Sequence, residues 1–401
     1  MNSTAGTHCE STGRLSTREA LDLYRGSTIH ELGRRAHNTT LRLHPKPYRT
    51  YVVDRNINYA NYCTAKCIFC EFKADVPGVD TGRPELPHGY VLPFEEIAAK
   101  IEELLAIGGT QILMQGGLVP AELIPFSWYT DLLRFIKRDY PSVHVHAFSP
   151  PEIHAFHLEF GMPVREVLQR LQEAGLDSIP GGGAEILVDR VRMRIAQGKT
   201  STDEYLQVMR EAHGLGMKTS ITMMFGHIET VEERVEHLVR IRDLQDETGG
   251  FTAFICWTFQ PGHTPLGRVQ TFDADYRGEP DGKHLVLADA HEYLRMTALS
   301  RVFLDNIPNI QSSWVTQGVK IGQLALFFGA NDMGSVMMEE NVVSAAGTTF
   351  QMSETEIRQA ITSAGFVPVK RDFYYRPLEA FCGFAGNSVP VASSPMAGSN
   401  S

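Results

Sequence analysis

Residues 51–70 read YVVDRNINYANYCTAKCIFC: a short apolar run over 51–58 that passes directly into a loop carrying Cys63, Cys67 and Cys70. Parallel α/β folds place their chemistry on the loops that leave the carboxyl ends of strands, so this order of run and loop suggests both a fold and a site. Working outward, the unit recurs. Further strand-like runs fall near 110–115, 143–148, 177–180, 218–225, 251–258, 309–315 and 331–337. Helical periods lie between them near 93–107, 126–139, 163–174, 202–215, 230–247, 284–305 and 316–328, with a last one near 353–364. Strands alternating with helices predict βαβ units and a parallel sheet. Eight such units suit an α/β fold of the (β/α)8 TIM-barrel type, usually about 250 residues plus insertions. The fourth run is short and ends in Gly181-Gly182-Gly183; without it or the eighth, the pattern reduces to a (β/α)6 arc.

Ahead of the first run, apolar positions at Ala20, Leu21, Tyr24, Ile29, Leu32 and Ala36 predict an N-terminal helical stretch over 17–37. The expected organisation is a polar tail 1–15, a helical extension 16–50, one barrel domain 51–383 and a tail 384–401, with a Gly/Pro/Asp-rich insertion at 262–283. Neither tail shows a hydrophobic period, and both are expected to be disordered.

The 401 residues carry 37 Lys or Arg against 47 Asp or Glu, a formal charge of −10, and 43% are hydrophobic. No run of about 18 apolar residues appears, which excludes a transmembrane helix. The first fifteen residues lack the apolar centre of a secretory signal. An acidic balance without basic blocks predicts no binding to nucleic acid or anionic membrane. The six cysteines are Cys9, Cys63, Cys67, Cys70, Cys256 and Cys382. They are too sparse for a disulfide scaffold, and a tight trio in a chain without a signal points to a metal or catalytic site in a reducing, cytoplasmic compartment.

The trio is spaced Cys-x3-Cys-x2-Cys. A structural zinc or an electron-transfer [4Fe–4S] centre usually takes four protein ligands, whereas three thiolates on a four-iron cluster leave one iron open to a small molecule. The same cysteines also admit a zinc site completed by a distant histidine such as His88, or plain buried thiols. The spacing, with Phe69 before the last cysteine, resembles the radical S-adenosylmethionine (SAM) superfamily. That resemblance implies a [4Fe–4S] cluster on Cys63, Cys67 and Cys70, SAM chelated at the open iron, and a 5′-deoxyadenosyl radical. It also implies cofactor-binding roles along the chain. Gly116 and Gly117 follow the second run where the superfamily has a Gly-Gly-Glu-Pro-like turn, here without the Glu. Thr222, Met224 and Gly226 match a Gly-x-Ile-x-Gly adenine-side motif, with Thr222 in place of the first Gly. Glu185 could accept ribose hydroxyl bonds, and Arg190, Arg192 or Arg194 could grip the SAM carboxylate.

Longer strings, among them NINY, GGTQILMQGG, HAFSPPEI, GLDSIPGGGAEILVDRVR, TMMFGHIET and GANDMGSVMMEENVV, resemble the cyclic dehypoxanthinyl futalosine synthases of menaquinone biosynthesis over roughly residues 20–375. Aminofutalosine synthases and the deazaflavin (FO) synthase components share part of them. The resemblance implies a cyclase acting on dehypoxanthine futalosine: abstraction of the ribose C4′ hydrogen, attack on the benzoate ring, and a low-potential electron donor such as flavodoxin or ferredoxin. His144 and His146 alternate on the third run and share a face, so either could accept the ring proton. Glu152, closing that run, is a candidate ligand-contacting or loop-fixing carboxylate. His227, Trp257, Gln260, Ser312, Ser313, Trp314, Asn331 and Asp332 fall at later strand ends. Cys256 reads as buried packing, and Glu71 and Lys73 make the end of the cysteine loop unusually charged.

Overall fold

The computed structural model describes residues 13–79, 87–268, 285–347 and 350–378. The expected tails apart from 13–15, most of the 262–283 insertion, and Cys9 and Cys382 lie outside these residues. The alternating runs form strands β1 (Tyr48–Val52), β2 (Asp54–Ile57), β3 (Lys66–Cys67), β4 (Gln111–Met114), β5 (His144–Ala147), β6 (Ser178–Ile179), β7 (Ala196–Gln197), β8 (Lys218–Phe225), β9 (Phe251–Thr258), β10 (Asn309–Gln311), β11 (Asp332–Ser335) and β12 (Val367–Lys370). Helices α1 (Thr17–Gly26) and α2 (Ile29–Leu43) precede them. Between strands lie α3 (Phe94–Ala106), α4 (Phe126–Asp139), α5 (Pro150–Phe160), α6 (Val164–Ala174), α7 (Asp189–Ile195), α8 (Thr202–Gly214) and α9 (Val231–Thr248), with later helices at Ala290–Phe303 and Glu354–Ser363.

Ten strands make one sheet, in the order β12-β1-β11-β10-β9-β8-β6-β5-β4-β2, and every pairing in it is parallel. All eight expected runs contribute, including the fourth, although β6 is only two residues long. The first run breaks at Val53. Before the break, β1 pairs with β11 at Thr50↔Asp332 and Val52↔Ser335; after it, β2 pairs with β4 from Asp54↔Gln111 to Ile57↔Met114. The curl therefore returns to the segment it began from, which is the (β/α)8 arrangement. Periodicity did not reveal β12, which adds to β1 from Tyr48↔Val367 to Tyr51↔Lys370.

The single helix expected over 17–37 is two. Thr28 is extended (ψ 156°) and caps α2: its hydroxyl accepts from the Glu31 N–H while the Glu31 carboxylate accepts from the Thr28 N–H. Such a capping box starts a new helix wherever it occurs. Arg295 holds the corner by donating to the Tyr24 and Ser27 carbonyls at 2.5 and 2.9 Å. A second box, Ser149 with Glu152, opens α5, with Pro150 and Pro151 in its first turn. Neither α5 nor α7 was expected. Cys256 is buried in packing, its sulfur 3.4 Å from the Thr297 hydroxyl on helix Ala290–Phe303.

Candidate active site

The loops leaving the carboxyl ends of the strands surround a cavity of about 390 Å³, within the range of small-molecule sites. Cys63, Cys67, Phe69 and Cys70 line it from the loop after β2, Gly116 and Gly117 from the loop after β4, and Glu185 from the loop after β6. It also runs deep. Asp54, Gln111, His146, Ser220, Gln311 and Arg371 line it from inside the barrel, where a filled barrel would carry layers of Val, Ile and Leu. Short and polar inward residues leave the space open.

The cysteine loop is fixed on two sides. β3 pairs antiparallel with β7, Cys67 opposite Ala196. The Leu118 N–H donates to the Cys63 sulfur at 3.3 Å, and the Thr64 N–H donates to the Leu118 carbonyl at 3.0 Å. Gly117 allows this approach: a Cβ there would lie 2.0 Å from the Tyr62 carbonyl oxygen. Burial pushes the Cys67 thiol up to about 12 and raises Cys70 as well, with Lys199 pulling both the other way. Thiols in such a setting ionise when a cation supplies the charge that burial withholds.

Glu185 sits beside this loop at φ +39°. Its Oε1 accepts from Lys199 Nζ at 2.9 Å, and its Oε2, 3.6 Å from Arg192 NH1, is buried without a hydrogen-bond partner. Burial alone would lower the Lys199 ammonium, but the Glu185 carboxylate together with Cys67 and Cys70 raises it. Lys199 also lies 5.4 Å from the centre of the Phe69 ring. Sequence reasoning missed Lys199, because it follows a two-residue strand too short to carry a period. It also missed the inward Asp54 and Gln111, although their parity on β2 and β4 was readable.

Deeper in, His146 lines the cavity and is buried, with Nδ1 2.7 Å and Nε2 3.4 Å from the Ser178 and Ser220 hydroxyls. Both histidines face inward, but His144 does not line the cavity: its ring stacks on Phe373 at 4.5 Å near the floor. Glu152 lines the cavity with both oxygens engaged. Oε1 accepts from the Tyr59 hydroxyl and the Gly116 N–H, Oε2 from the Ser149 N–H and hydroxyl. Those bonds make it a loop-fixing carboxylate, one of the two roles expected of it. Trp257, Ser312, Ser313 and Trp314 line the cavity, whereas His227, Gln260, Asn331 and Asp332 do not. Asn331 is drawn away by Arg301 and the Ile310 N–H, and Asp332 by Arg371.

Comparison with known proteins places these features in a family. The fold is shared with methylornithine synthase (TM-score 0.65, 16% identity, covering 89% of this chain and 95% of that one). It is also shared with the hydrogenase maturase HydG from Carboxydothermus hydrogenoformans (TM-score 0.66, 16% identity, 90% and 78%). Residues 57–241 match the radical SAM superfamily, and residues 248–381 the CofH/MqnC C-terminal region. The chain is 43% identical over 368 residues to the cyclic dehypoxanthine futalosine synthase of Halalkalibacterium halodurans, 92% of each chain, and 40% identical over 369 residues to that of Streptomyces coelicolor, 91% and 86%. This chain belongs to the cyclic dehypoxanthine futalosine synthase family of radical SAM enzymes.

Enzymes of this superfamily use a [4Fe–4S] cluster and S-adenosylmethionine, and the residues of this family member fit both. Three thiols face one cavity. Among the described residues no three His, Cys, Asp or Glu side chains converge closely enough for a single metal ion. His88, the suggested fourth ligand of a zinc site, is exposed. The unpartnered Glu185 Oε2 suits a hydroxyl donor. Thr222 lines the cavity and donates to the Gly181 carbonyl at 2.7 Å.

Five SAM contacts implied by the superfamily resemblance do not line the cavity. Arg190 is drawn to Glu233 on α9 at 2.5–2.6 Å, and Arg194 is exposed on the same face of α7. Arg192 turns inward instead, but spends its donors on the Gly183, Ala184 and Thr200 carbonyls. Met224 is buried behind the Glu185 backbone, to whose carbonyl its N–H donates at 2.9 Å. Gly226 abuts Ala288, where a Cβ would come within 2.6 Å. No helix among the described residues is long and apolar enough to cross a membrane.

Proposed function

We propose that this enzyme converts dehypoxanthine futalosine to its cyclic product in menaquinone biosynthesis, by abstraction of the ribose C4′ hydrogen and attack of the carbon radical on the benzoate ring. The observation that carries the reading is a trio of cavity-facing thiols beside the Glu185 carboxylate, which lines the same cavity, in a chain 43% identical to a cyclic dehypoxanthine futalosine synthase. When bound, the cluster and SAM supply a 5′-deoxyadenosyl radical. The chain supplies placement. Cys63, Cys67 and Cys70 would hold the cluster through their thiolates, and Gly116 and Gly117 would let backbone approach the SAM methionine. Glu185, held by Lys199, receives the SAM ribose hydroxyls. The polar interior below them orients the substrate and keeps the radical carbon near its target C–H bond, a gain of effective concentration rather than of new bonds. Neutral His146 takes the ring proton. The enzyme works in the cytoplasm with a flavodoxin or ferredoxin as donor.

A second substrate class has support from relatives of another name: a 5-amino-6-(D-ribitylamino)uracil–L-tyrosine 4-hydroxyphenyl transferase of Methanopyrus kandleri is 37% identical over 372 residues. The test is anaerobic reconstitution with iron and sulfide, then SAM, a low-potential reductant and each candidate substrate, with products identified by mass spectrometry. Cyclised product from dehypoxanthine futalosine is expected. Replacing Cys63, Cys67 or Cys70 by Ala should abolish 5′-deoxyadenosine formation, while Cys256→Ala retains it. Activity kept by any of the three would refute the ligand assignment.

A further inference from the structure

His146 is not isolated. Its Nδ1 lies 2.7 Å from the Ser178 hydroxyl, and the same hydroxyl lies 2.7 Å from His144 Nε2. Ser178 and His146 are register partners on β6 and β5, and His144 opens β5 two residues nearer the floor. Three side chains thus form an unbroken hydrogen-bonded row from the cavity to the barrel's amino-terminal end. A serine has one proton to give, so at least one ring must donate to it. The Ser220 hydroxyl accepts the Gly181 N–H at 3.0 Å and lies 3.4 Å from His146 Nε2, to which it can donate. In the tautomer whose Nε2 carries no proton, Nδ1 donates to Ser178 and Ser178 donates to His144.

We propose that His146, Ser178 and His144 form a proton exit from the cavity to the barrel floor, with Ser178 as the relay. The proposal rests on the cyclase reading above. After ring attack, the C–H bond at the attacked carbon breaks and its proton passes to His146 Nε2. The bonding pair stays in the ring to restore aromaticity, and the odd electron leaves to a one-electron acceptor of the iron–sulfur or flavin class. The Nδ1 proton of His146 moves to Ser178 as the Ser178 proton moves to His144, which releases a proton at the floor. The route suits a radical site, because charge leaves on the side away from the mouth and no water need enter.

The surroundings agree. His144 is half-buried at the floor, against Phe373 and Tyr374. The charged groups facing it are Asp177 before β6, Lys137 on α4, and Asp372 and Arg376 on the segment after β12; Arg371 faces His146. Burial pushes His144 down to about 4 and His146 well below the usual histidine range. Both rings are therefore neutral between turnovers, so they pass a proton instead of storing one.

The test compares Ser178→Ala, Ser178→Thr and His144→Gly in the reconstituted holoenzyme, measuring cyclised product and 5′-deoxyadenosine in the same samples. In Ser178→Ala, 5′-deoxyadenosine should persist while cyclised product per deoxyadenosine falls about 100-fold, the size of a lost proton-transfer step. Ser178→Thr keeps a hydroxyl and should restore the ratio, and added imidazole should rescue His144→Gly. A wild-type ratio in Ser178→Ala would overturn the relay. So would a parallel fall of both products that threonine does not reverse, because that marks Ser178 as packing alone. A wild-type protein that makes deoxyadenosine but no cyclised product is a different result, and it removes the cyclase reading itself.

Discussion

Glu185 does two things with one carboxylate. Lys199 occupies Oε1, which keeps the charge tolerable in a buried site, and Oε2 is left with no hydrogen bond and only Arg192 near it, 3.6 Å away. Glu185→Gln keeps the volume and removes the charge. A hydrogen bond to a charged group is worth about 1.5–3 kcal/mol, so the KM for SAM should rise roughly 10- to 150-fold with cluster iron content unchanged. Steady-state kinetics with parallel iron analysis decides it, and an unaltered KM would remove Glu185 from the SAM contacts. Arg190 teaches the complementary lesson. From sequence it was as good a candidate as Glu185, being equally polar and near the same loop. Its fate was set by Glu233, 43 residues away on α9, and no local pattern could name that partner.

At the scale of elements, α8 ends in a histidine held against the usual rule. A helix carboxyl terminus favours a cationic histidine, yet His213 is buried between the Thr248 and Thr219 hydroxyls at 2.7 and 2.9 Å. Burial, helped by Lys218 and Arg210, pushes it down to about 4. Above the unfolded value near 6.5 both states are neutral, and the folded state gains nothing and loses nothing. As the pH falls from about 6.5 to 4, the unfolded chain binds a proton that the folded chain refuses, so stability drops, by at most about 3 kcal/mol. Thermal melts of His213→Asn across this range should show a shallower decline than the wild type, and parallel slopes would contradict the assignment. Elements were largely legible, because hydrophobic period survives any packing. Their breaks were legible only in part. Thr28 and Glu31 carry a capping box that the apolar period over 17–37 passed over, whereas nothing before Val53 announced that β1 would part from β2, since that depends on which neighbour each half meets.

For the whole molecule, the closed sheet and the cysteine loop are separable. The sheet is held by parallel pairings in which Cys63, Cys67 and Cys70 take no part, while the loop is tied by the short β3–β7 ladder and a few backbone bonds. Iron removal by a chelator should therefore lower the melting temperature, as loss of any ligand of the native state does, yet leave the far-ultraviolet circular dichroism unchanged. Loss of secondary structure on chelation would show that the cluster is part of the fold. By itself the sequence determined the kind of protein this is: the alternation of runs and helices, the three-cysteine loop at a strand end, and the face on which chemistry sits. These are local or periodic properties, which a chain carries before it folds. Only the tertiary structure decided which polar side chains share the cavity, that Glu152 braces a loop, that Lys199 accompanies Glu185, and that one serine joins two histidines. Each of those depends on residues remote in sequence coming within about 3 Å, a distance that only packing sets.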